Sequence, residues 1–102
     1  MGHTGCRIIN PNVIIGKNCN IATGVVIGKT NRPGGGTPVI GNNVWIGSNA
    51  VIVGRIKIGN NVLIAPNAYV NIDVPDNSIV IGNPASIHYK ENATDGYINN
   101  LL

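Results

Sequence analysis

Aliphatic residues recur at every sixth position along most of this chain. The first row consists of Ile9, Ile15, Ile21, Ile27, Ile40, Ile46, Ile52, Ile58, Ile64 and Val70. A second row of small or branched residues follows four positions later: Val13, Cys19, Val25, Val44, Ala50, Ile56, Val62, Ala68 and Val74. Neither an α-helix nor a flat strand has a period of six, whereas a parallel β-helix does. The pattern therefore predicts an all-β chain in which both rows point inward.

A longer period of eighteen residues contains the shorter one. The heptapeptide 40–46, Ile-Gly-Asn-Asn-Val-Trp-Ile, returns at 58–64 with Leu in place of Trp. Three hexapeptides per coil make a triangular prism in which each face is one short strand wide. We therefore predict a left-handed parallel β-helix from about residue 8 to residue 82. Gly and Asn at the turn positions, such as Gly41 and Asn43, suit corners that need a positive φ angle.

The period is interrupted between Ile27 and Ile40, which are thirteen residues apart, one more than two repeats. The segment 31–38 contains two prolines and three glycines, a composition that does not form a ladder strand. We predict that this segment is extruded from the prism as a loop. Insertions in solenoids gather on one face, often the binding face; a tolerated surface bulge is the alternative.

The chain divides into a β-helix domain, residues 1–85, and a short C-terminal tail, residues 86–102. The tail is polar with weak periodicity, which is compatible with a short helix or a frayed end. Each end of a parallel prism presents an open sheet edge that must be covered. The tail is a candidate cover for one of these edges.

Composition narrows the function classes. Charged residues make up 11% of the chain, and the net charge of +3 comes from seven scattered bases. Nucleic-acid binding is not expected, because it requires clustered Lys and Arg with stacking aromatics. No apolar stretch is long enough to span a membrane, and Cys6 and Cys19 fall on different phases of the repeat, which favours reduced thiols in a cytoplasmic protein. A zinc site with three histidine ligands is excluded because the chain has only His3 and His88, so we expect no metal.

Several motifs, in this order, resemble those of the hexapeptide-repeat acyltransferases. They are 2–5 (Gly-His-Thr-Gly), 20–28 (Asn-Ile-Ala-Thr-Gly-Val-Val-Ile-Gly), 36–41 at the end of the loop (Gly-Thr-Pro-Val-Ile-Gly), 44–47 (Val-Trp-Ile-Gly) and 81–85 (Ile-Gly-Asn-Pro-Ala). The chain is most similar to the serine acetyltransferases and to O-acetyltransferases of capsular sugars, from residue 3 to about residue 90. The repeats indicate the fold, and the ordered motifs indicate acyl transfer.

The resemblance implies an acetyl-CoA-dependent O-acetyltransferase that forms a homotrimer, with CoA in a groove between adjacent prisms. It places His3 at the family's catalytic histidine, which takes the proton from the acceptor hydroxyl. A neutral imidazole, with an unperturbed pKa of about 6.5, is a competent base at neutral pH. The small-molecule acceptor would be serine or a sugar, and both remain open.

The same resemblance assigns the cofactor groove. The residues implied at the loop and along the groove are Gly28, Lys29, Thr30, Gly47, Ser48, Ala65 and Pro66, and those implied for the CoA phosphates are Arg55, Lys57 and Lys90. Small side chains allow a ligand to approach the backbone closely. His88 lies beyond the last repeat and is given no role.

Departures from the family pattern leave a second function open. The family orients its histidine with an upstream carboxylate, and no Asp or Glu precedes Asp73 here. An imidazole without such a partner loses control of its tautomer. The family's acidic residue before the histidine is Gly2 here, and its Arg-His pair at the end of the loop, which holds serine, reads Gly36-Thr37. The alternative is a truncated or degenerate, non-catalytic β-helix trimer, either with or without CoA binding.

Overall fold

The computed structural model describes residues 7–30 and 35–94, and the regular structure in these two ranges consists of twelve short strands. Their bounds are β1 Ile8–Ile9, β2 Ile14–Ile15, β3 Asn20–Ile21, β4 Val26–Gly28, β5 Val39–Ile40, β6 Val44–Ile46, β7 Val51–Val53, β8 Lys57–Ile58, β9 Val62–Ile64, β10 Tyr69–Val70, β11 Ser78–Ile81 and β12 Ser86–Tyr89. No helix occurs in these ranges, so the all-β prediction is confirmed for them.

The strands form three sheets, which are the three faces of the predicted prism. Sheet A has the order β1-β4-β7-β10, sheet B the order β2-β5-β8, and sheet C the order β3-β6-β9-β11-β12. All pairs are parallel except β11 with β12. The chain visits sheets A, B and C in turn, and each circuit is one coil. Coil 1 contains β1–β3, coil 2 β4–β6, coil 3 β7–β9, and coil 4 begins with β10 and ends with β11.

Both aliphatic rows lie inside the prism, as predicted. In coils 2 and 3 every member of the two rows is buried, and Ile46, Ile58 and Ile64 have no exposed surface. The members in coil 1 are partly buried and pack against the same core. Each buried Å² of apolar surface contributes roughly 25 cal/mol, so this inward packing is the main source of stability.

Cys19 occupies one of these inward positions. Its Sγ donates a hydrogen bond to the carbonyl oxygen of Gly41, 3.3 Å away in the next coil. Burial raises the pKa of the Cys19 thiol above its usual value, against a smaller opposing effect of backbone hydrogen bonds from Val44 and Asn43. The group therefore remains a protonated thiol at neutral pH and serves as a small core residue.

The strand register measures the interruption of the period. Ile8 pairs with Val26, one full coil of eighteen residues later, whereas Val26 pairs with Val51, a step longer by seven. β4 and β5 lie on adjacent faces, so only one hexapeptide repeat is needed between them. The thirteen-residue interval from Ile27 to Ile40 is therefore one repeat plus seven inserted residues, and not two repeats plus one residue. Pro38, at the end of the predicted loop, is already buried in the prism. Residues 31–34 lie outside the described residues.

Coil 4 is shorter than the coils before it. Ile58 pairs with Val74, and Val62 pairs with Ser78, so both steps are two residues shorter than a full coil. The shortening lies between Val70 and Val74. Val74, which the repeat assigned to the second row, instead occupies the first-row position paired with Ile58, four residues after Val70 instead of six. Val74 is buried there, so the core continues despite the broken period.

Side-chain oxygens connect successive coils at the corner between sheets B and C. Oδ1 of Asn42 accepts from the N–H of Lys17 at 2.8 Å, and Oδ1 of Asn60 accepts from the N–H of Asn42 at 2.8 Å. In coil 4, Oδ1 of Asp76 accepts from the N–H of Asn60 at 2.7 Å. We call this series the asparagine ladder. It satisfies backbone donors at the corner.

Glycine and asparagine have different tasks at this corner. The expected positive φ occurs at Asn18, Asn43 and Asn61, with values of 58°, 58° and 56°. The expectation is wrong for Gly41, whose φ is not positive. A Cβ at Gly41 would lie 2.5 Å from Oδ1 of Asn60, so this glycine is required by the close approach of the ladder.

The chain itself covers the C-terminal edge of sheet C. β12 pairs antiparallel with β11, and Ile87 packs against the core. Residues 86–89 are therefore a strand, and not the short helix or frayed end that the weak periodicity suggested. Beyond them Ala93 and Thr94 are buried, and Oγ1 of Thr94 donates to Oδ1 of Asn61 at 2.6 Å. This part of the predicted tail thus packs on the corner between sheets B and C.

Candidate functional site

His3, the predicted base, lies outside the described residues, so its surroundings are not assigned. The two ends of the inserted loop are described, and they meet at the corner between sheets A and B. We call this region the loop corner; it comprises Gly28–Thr30, Gly36, Gly54 and Arg55. It contains four of the residues implied by the family resemblance: Gly28, Lys29, Thr30 and Arg55.

Contacts between coils hold the first end of the loop. The N–H of Gly54 donates to the carbonyl oxygen of Gly28 at 3.1 Å, and the Thr30 methyl group lies 3.5 Å from where a Gly54 Cβ would be. Gly54 has a φ of 99°, which favours glycine. A Cβ at Gly28 would meet no atom within 4 Å. Open space therefore adjoins the Gly28 backbone, and a ligand can approach it closely.

The segment that leaves the loop rests on two other coils. Gly36 lies against the aliphatic part of Arg55, because a Cβ at Gly36 would be 3.3 Å from both Cβ and Cγ of that side chain. The hydroxyl of Thr37 donates to the carbonyl oxygen of Asn12 at 3.2 Å. Sequence analysis missed these contacts. They depend on the path of an insertion that follows no period, so the repeat gives no signal for them.

The loop corner carries unpaired positive charge. Lys29 and Arg55 are exposed, and the first carboxylate in the chain is Asp73, in coil 4. Within the described ranges the Arg55 guanidinium has no hydrogen-bond or ion-pair partner. A guanidinium and an ammonium group at the edge of an open backbone suit a phosphate-bearing ligand.

The second predicted group lies at the corner between sheets C and A. Gly47–Ser48 in coil 2 stacks on Ala65–Pro66 in coil 3, as the eighteen-residue period predicts. The N–H of Asn67 donates to the carbonyl oxygen of Ser48 at 3.0 Å, and a Cβ at Gly47 would be 2.6 Å from the Pro66 nitrogen. We call this the stacked corner. Its backbones are as close as two coils allow, which accounts for the small residues.

Sheet A separates the loop corner from the stacked corner. Its outward row, in register across the four strands, is Ile8, Val26, Val51 and Tyr69. Ile8 is 66% exposed and Tyr69 36% exposed, while the two valines are half-buried. The two corners therefore border an apolar face, with the charges gathered at one side of it.

The other two predicted phosphate contacts lie elsewhere. Lys57 is exposed on sheet B, two residues beyond Arg55, and its N–H donates to Oδ1 of Asp73 at 2.9 Å. The N–H of Lys90 donates to the carbonyl oxygen of Asn77 at 2.8 Å, which places Lys90 at the corner between sheets B and C, opposite sheet A. The structure brings Lys57 next to the loop corner but does not bring Lys90 to it.

Outside these corners, β12 carries one hydrogen-bonded pair of polar side chains, Ser86 and His88. Oγ of Ser86 lies 3.0 Å from Nε2 of His88, and the same hydroxyl donates to the carbonyl oxygen of Ile81 at 3.2 Å. Both residues are exposed. The described residues contain no group of three potential metal ligands. A search of the same residues finds no helix with the length and apolarity needed to cross a membrane.

Two family models match the repeats. The model for the bacterial transferase hexapeptide (six repeats) matches residues 37–71, and the model for the hexapeptide repeat of succinyl-transferase matches residues 6–29. Together with the prism, they show that this chain belongs to the hexapeptide-repeat acyltransferase family.

Named relatives and solved structures share the same region. The chain is 40% identical over 85 residues to the putative colanic acid biosynthesis acetyltransferase WcaB of Escherichia coli K12, covering 83% of this chain and 52% of that protein. The serine acetyltransferase of Neisseria gonorrhoeae in complex with serine superposes with a TM-score of 0.75 at 38% identity, covering 85% of this chain and 35% of that one. The Brucella abortus serine acetyltransferase in complex with coenzyme A superposes with a TM-score of 0.76 at 33% identity, covering 81% and 34%. The chain thus spans about half the length of the first relative and about a third of the two enzymes of known structure.

Proposed function

We propose that this chain is the β-helix part of an acetyl-CoA-dependent O-acetyltransferase. The observation that carries the proposal is the loop corner, where an open glycine backbone lies beside two unpaired cations at the edge of an apolar face. The coenzyme A and serine complexes of similar enzymes support it. The proposal includes the left-handed winding of the prism, supported by superposition on those enzymes over more than four fifths of this chain.

The donor binds, in this proposal, across sheet A between the two corners. CoA combines a long uncharged arm with phosphates at one end, and the face between the corners combines an apolar surface with charge at one side. Lys29 and Arg55 hold the phosphates, with Lys57 next to them. The arm passes the open backbone at Gly28 and the partly or fully exposed residues Thr30, Ser48, Ala65 and Pro66. Gly47 is buried against Pro66 and contributes only the close packing of the stacked corner. Lys90 is left out because it lies at the corner opposite sheet A.

His3 is the proposed general base. Its imidazole accepts the proton of the acceptor hydroxyl, whose oxygen then attacks the acetyl carbonyl carbon of the thioester. The C–O bond of the ester forms as the C–S bond breaks, and the imidazolium returns the proton to the departing CoA sulfur. A backbone N–H at one of the corners stabilises the charge that develops on the carbonyl oxygen. Acetyl-CoA supplies an activated acetyl group. The acceptor is a hydroxyl of serine or of a sugar, the two substrate classes suggested by the relatives.

One observation favours a second candidate function. No acidic residue lies between His3 and Asp73, so the part of the chain that follows His3 through coils 1–3 supplies no carboxylate to orient its imidazole. The alternative is a prism that binds CoA without transferring its acetyl group. A free-thiol release assay with acetyl-CoA, serine and a panel of sugars distinguishes the two: turnover of any acceptor establishes the transferase, and binding without turnover establishes the alternative.

Removing the cations of the loop corner should weaken CoA binding. We expect Lys29→Ala and Arg55→Ala each to lower the affinity about tenfold, because a hydrogen bond to a charged group contributes on the order of 1.5 kcal/mol. Titration calorimetry at low and high salt measures this, and added salt should reduce the difference. Lys90→Ala, which removes the same charge at the opposite corner, is the matched control. The cofactor site is refuted if folded protein gives no heat with millimolar CoA.

We further propose that the chain forms a homotrimer through its apolar faces. Ile8 on sheet A and Ile14 on sheet B are 66% and 61% exposed, although both are large aliphatic residues. Apolar patches of this kind on small domains mark association surfaces. The faces of neighbouring prisms then cover these rows, and the grooves between prisms contain the donor sites.

A double substitution tests the trimer. Ile8→Lys with Ile14→Lys should convert a particle of about three chain masses into a monomer of 10.6 kDa, because a charge at each contact would be buried without a partner. Sedimentation equilibrium at micromolar concentration gives the masses. Ile81→Lys, at an aliphatic residue that is 48% exposed on sheet C, the third face, should leave the trimer intact. A wild-type mass equal to that of a single chain would contradict the proposal.

We place the protein in the cytoplasm, where thiols stay reduced. The support is Cys19, a free thiol in the core with no cysteine partner among the described residues. CoA-dependent chemistry and an unpaired core thiol both suit this compartment.

A further inference from the structure

We propose that Arg55 is a positioning residue for the inserted loop, in addition to its proposed contact with the donor. Its aliphatic stem supports the segment that leaves the loop, and its guanidinium remains free for an anion. The supporting role stands on contacts within this chain alone. The anion contact rests on the proposed function.

The geometry separates the two parts of the side chain. Gly36 lies so close to the stem that an added Cβ would be 3.3 Å from Cβ and Cγ of Arg55 and 3.6 Å from Cδ. The guanidinium beyond Cδ has no partner in the described ranges, and Arg55 as a whole is exposed. Arginine stems commonly cover apolar or backbone surface while the head stays in water.

The position of Arg55 explains why this support matters. The loop begins at Gly28 and Thr30, which are held by Gly54, and it returns at Gly36, which lies on the residue directly after Gly54. Two consecutive residues of coil 3 therefore hold both ends of the loop. Arg55 thus supports the end of the loop at Gly36 and places its own guanidinium beside it.

Three variants separate stem from charge. Arg55→Met keeps an unbranched apolar stem and removes the charge, whereas Arg55→Ala removes both. Lys57→Met is the matched control, because it removes an exposed cation two residues away on β8, which pairs with β5 beyond the end of the loop. All three are made in the full chain, and equal melting temperatures establish that the variants fold.

Limited trypsin digestion measures how firmly the loop is held, and it does not depend on any activity of the protein. Cleavage after Lys29 requires the chain on both sides of that bond to open, and Gly36 lies only seven residues beyond it, so the rate should rise when either end of the loop is released. We expect Arg55→Ala to raise this rate about fivefold relative to cleavage after Lys17, while Arg55→Met and Lys57→Met stay within a factor of two of the wild type. Mass spectrometry of the fragments ending at residues 17 and 29 gives both rates.

A CoA titration of the same variants measures how much the Arg55 charge contributes to the affinity for CoA. Arg55→Met should retain the protected loop yet lose the salt-sensitive part of the affinity. Equal cleavage after Lys29 in the wild type and Arg55→Ala overturns the supporting role, and so does a rate for Arg55→Met as high as that for Arg55→Ala. A parallel rise after Lys17, which indicates general loosening, also counts against it. If the loop is protected as expected but no variant or wild type binds CoA, the proposed function fails and the supporting role stands.

Discussion

Replacing His3 by alanine should lower the rate of acetyl transfer by at least about 100-fold, because a positioned general base contributes roughly 10²–10⁴-fold. The loss should appear in kcat, since the proton is transferred only in the transition state. CoA affinity should be unchanged, because His3 precedes the first coil and both donor corners belong to coils 2 and 3. Release of the CoA thiol, measured with each acceptor at saturating acetyl-CoA, gives the rate.

The other histidine of the chain supplies the control. His88 is exposed on β12, the outermost strand of sheet C, and is hydrogen-bonded to Ser86, so His88→Ala should keep the wild-type rate. The two variants together test whether a histidine is the general base and which of the two histidines it is. If His3→Ala turns over as fast as the wild type, His3 has no part in the mechanism. If His88→Ala instead loses activity, the base has been assigned to the wrong histidine.

Truncating an inward isoleucine should remove a large part of the stability of the prism. Ile46 has no exposed surface and lies in register between Ile21 and Ile64 in sheet C. Ile46→Ala leaves a cavity that neighbouring coils cannot close without breaking register, and such changes cost about 2–5 kcal/mol. A domain of this size has a stability of only about 5–15 kcal/mol. Urea unfolding followed by circular dichroism measures the change in the free energy of unfolding.

The control for this substitution is an isoleucine on the outside. Ile72 is 44% exposed at a corner of coil 4, so Ile72→Ala removes the same atoms without leaving a closed cavity. Its effect should be within about 0.5 kcal/mol, as is usual at the surface. Equal losses for the two variants would mean that the inward row does not carry the stability.

The sequence was sufficient for the prism because burial and turn chemistry repeat with the same period. Every row position in coils 2 and 3 is buried, and asparagine has the positive φ expected of it at Asn43 and Asn61. The departures are local. The inserted seven residues and the shortened step to Val74 change the chain length between faces without changing the inward residues. A hydrophobic pattern records which side chains are buried, and it does not record how the chain travels between them.

The site was predictable only where it follows the repeat. Gly47–Ser48 and Ala65–Pro66 stack because they are one coil apart, a spacing that can be counted in the sequence. The support of Gly36 by Arg55 joins an insertion to a later coil, and no period relates those residues. The resemblance grouped Lys90 with the phosphate contacts, and its backbone lies at the opposite corner. The roles of these residues and the division at residue 85 remain predictions.

The asparagine ladder determines how this architecture can change in length. Each rung joins a backbone donor in one coil to a side-chain oxygen in the next, and the series ends on Asp76. A duplicated copy of residues 41–58 brings both its own donor and its own acceptor, so inserting it after Ile58 leaves every rung complete. Each copy adds about 4.8 Å along the axis. The chain is therefore a template for engineered spacers whose lengths increase in whole coils, with both ends unchanged.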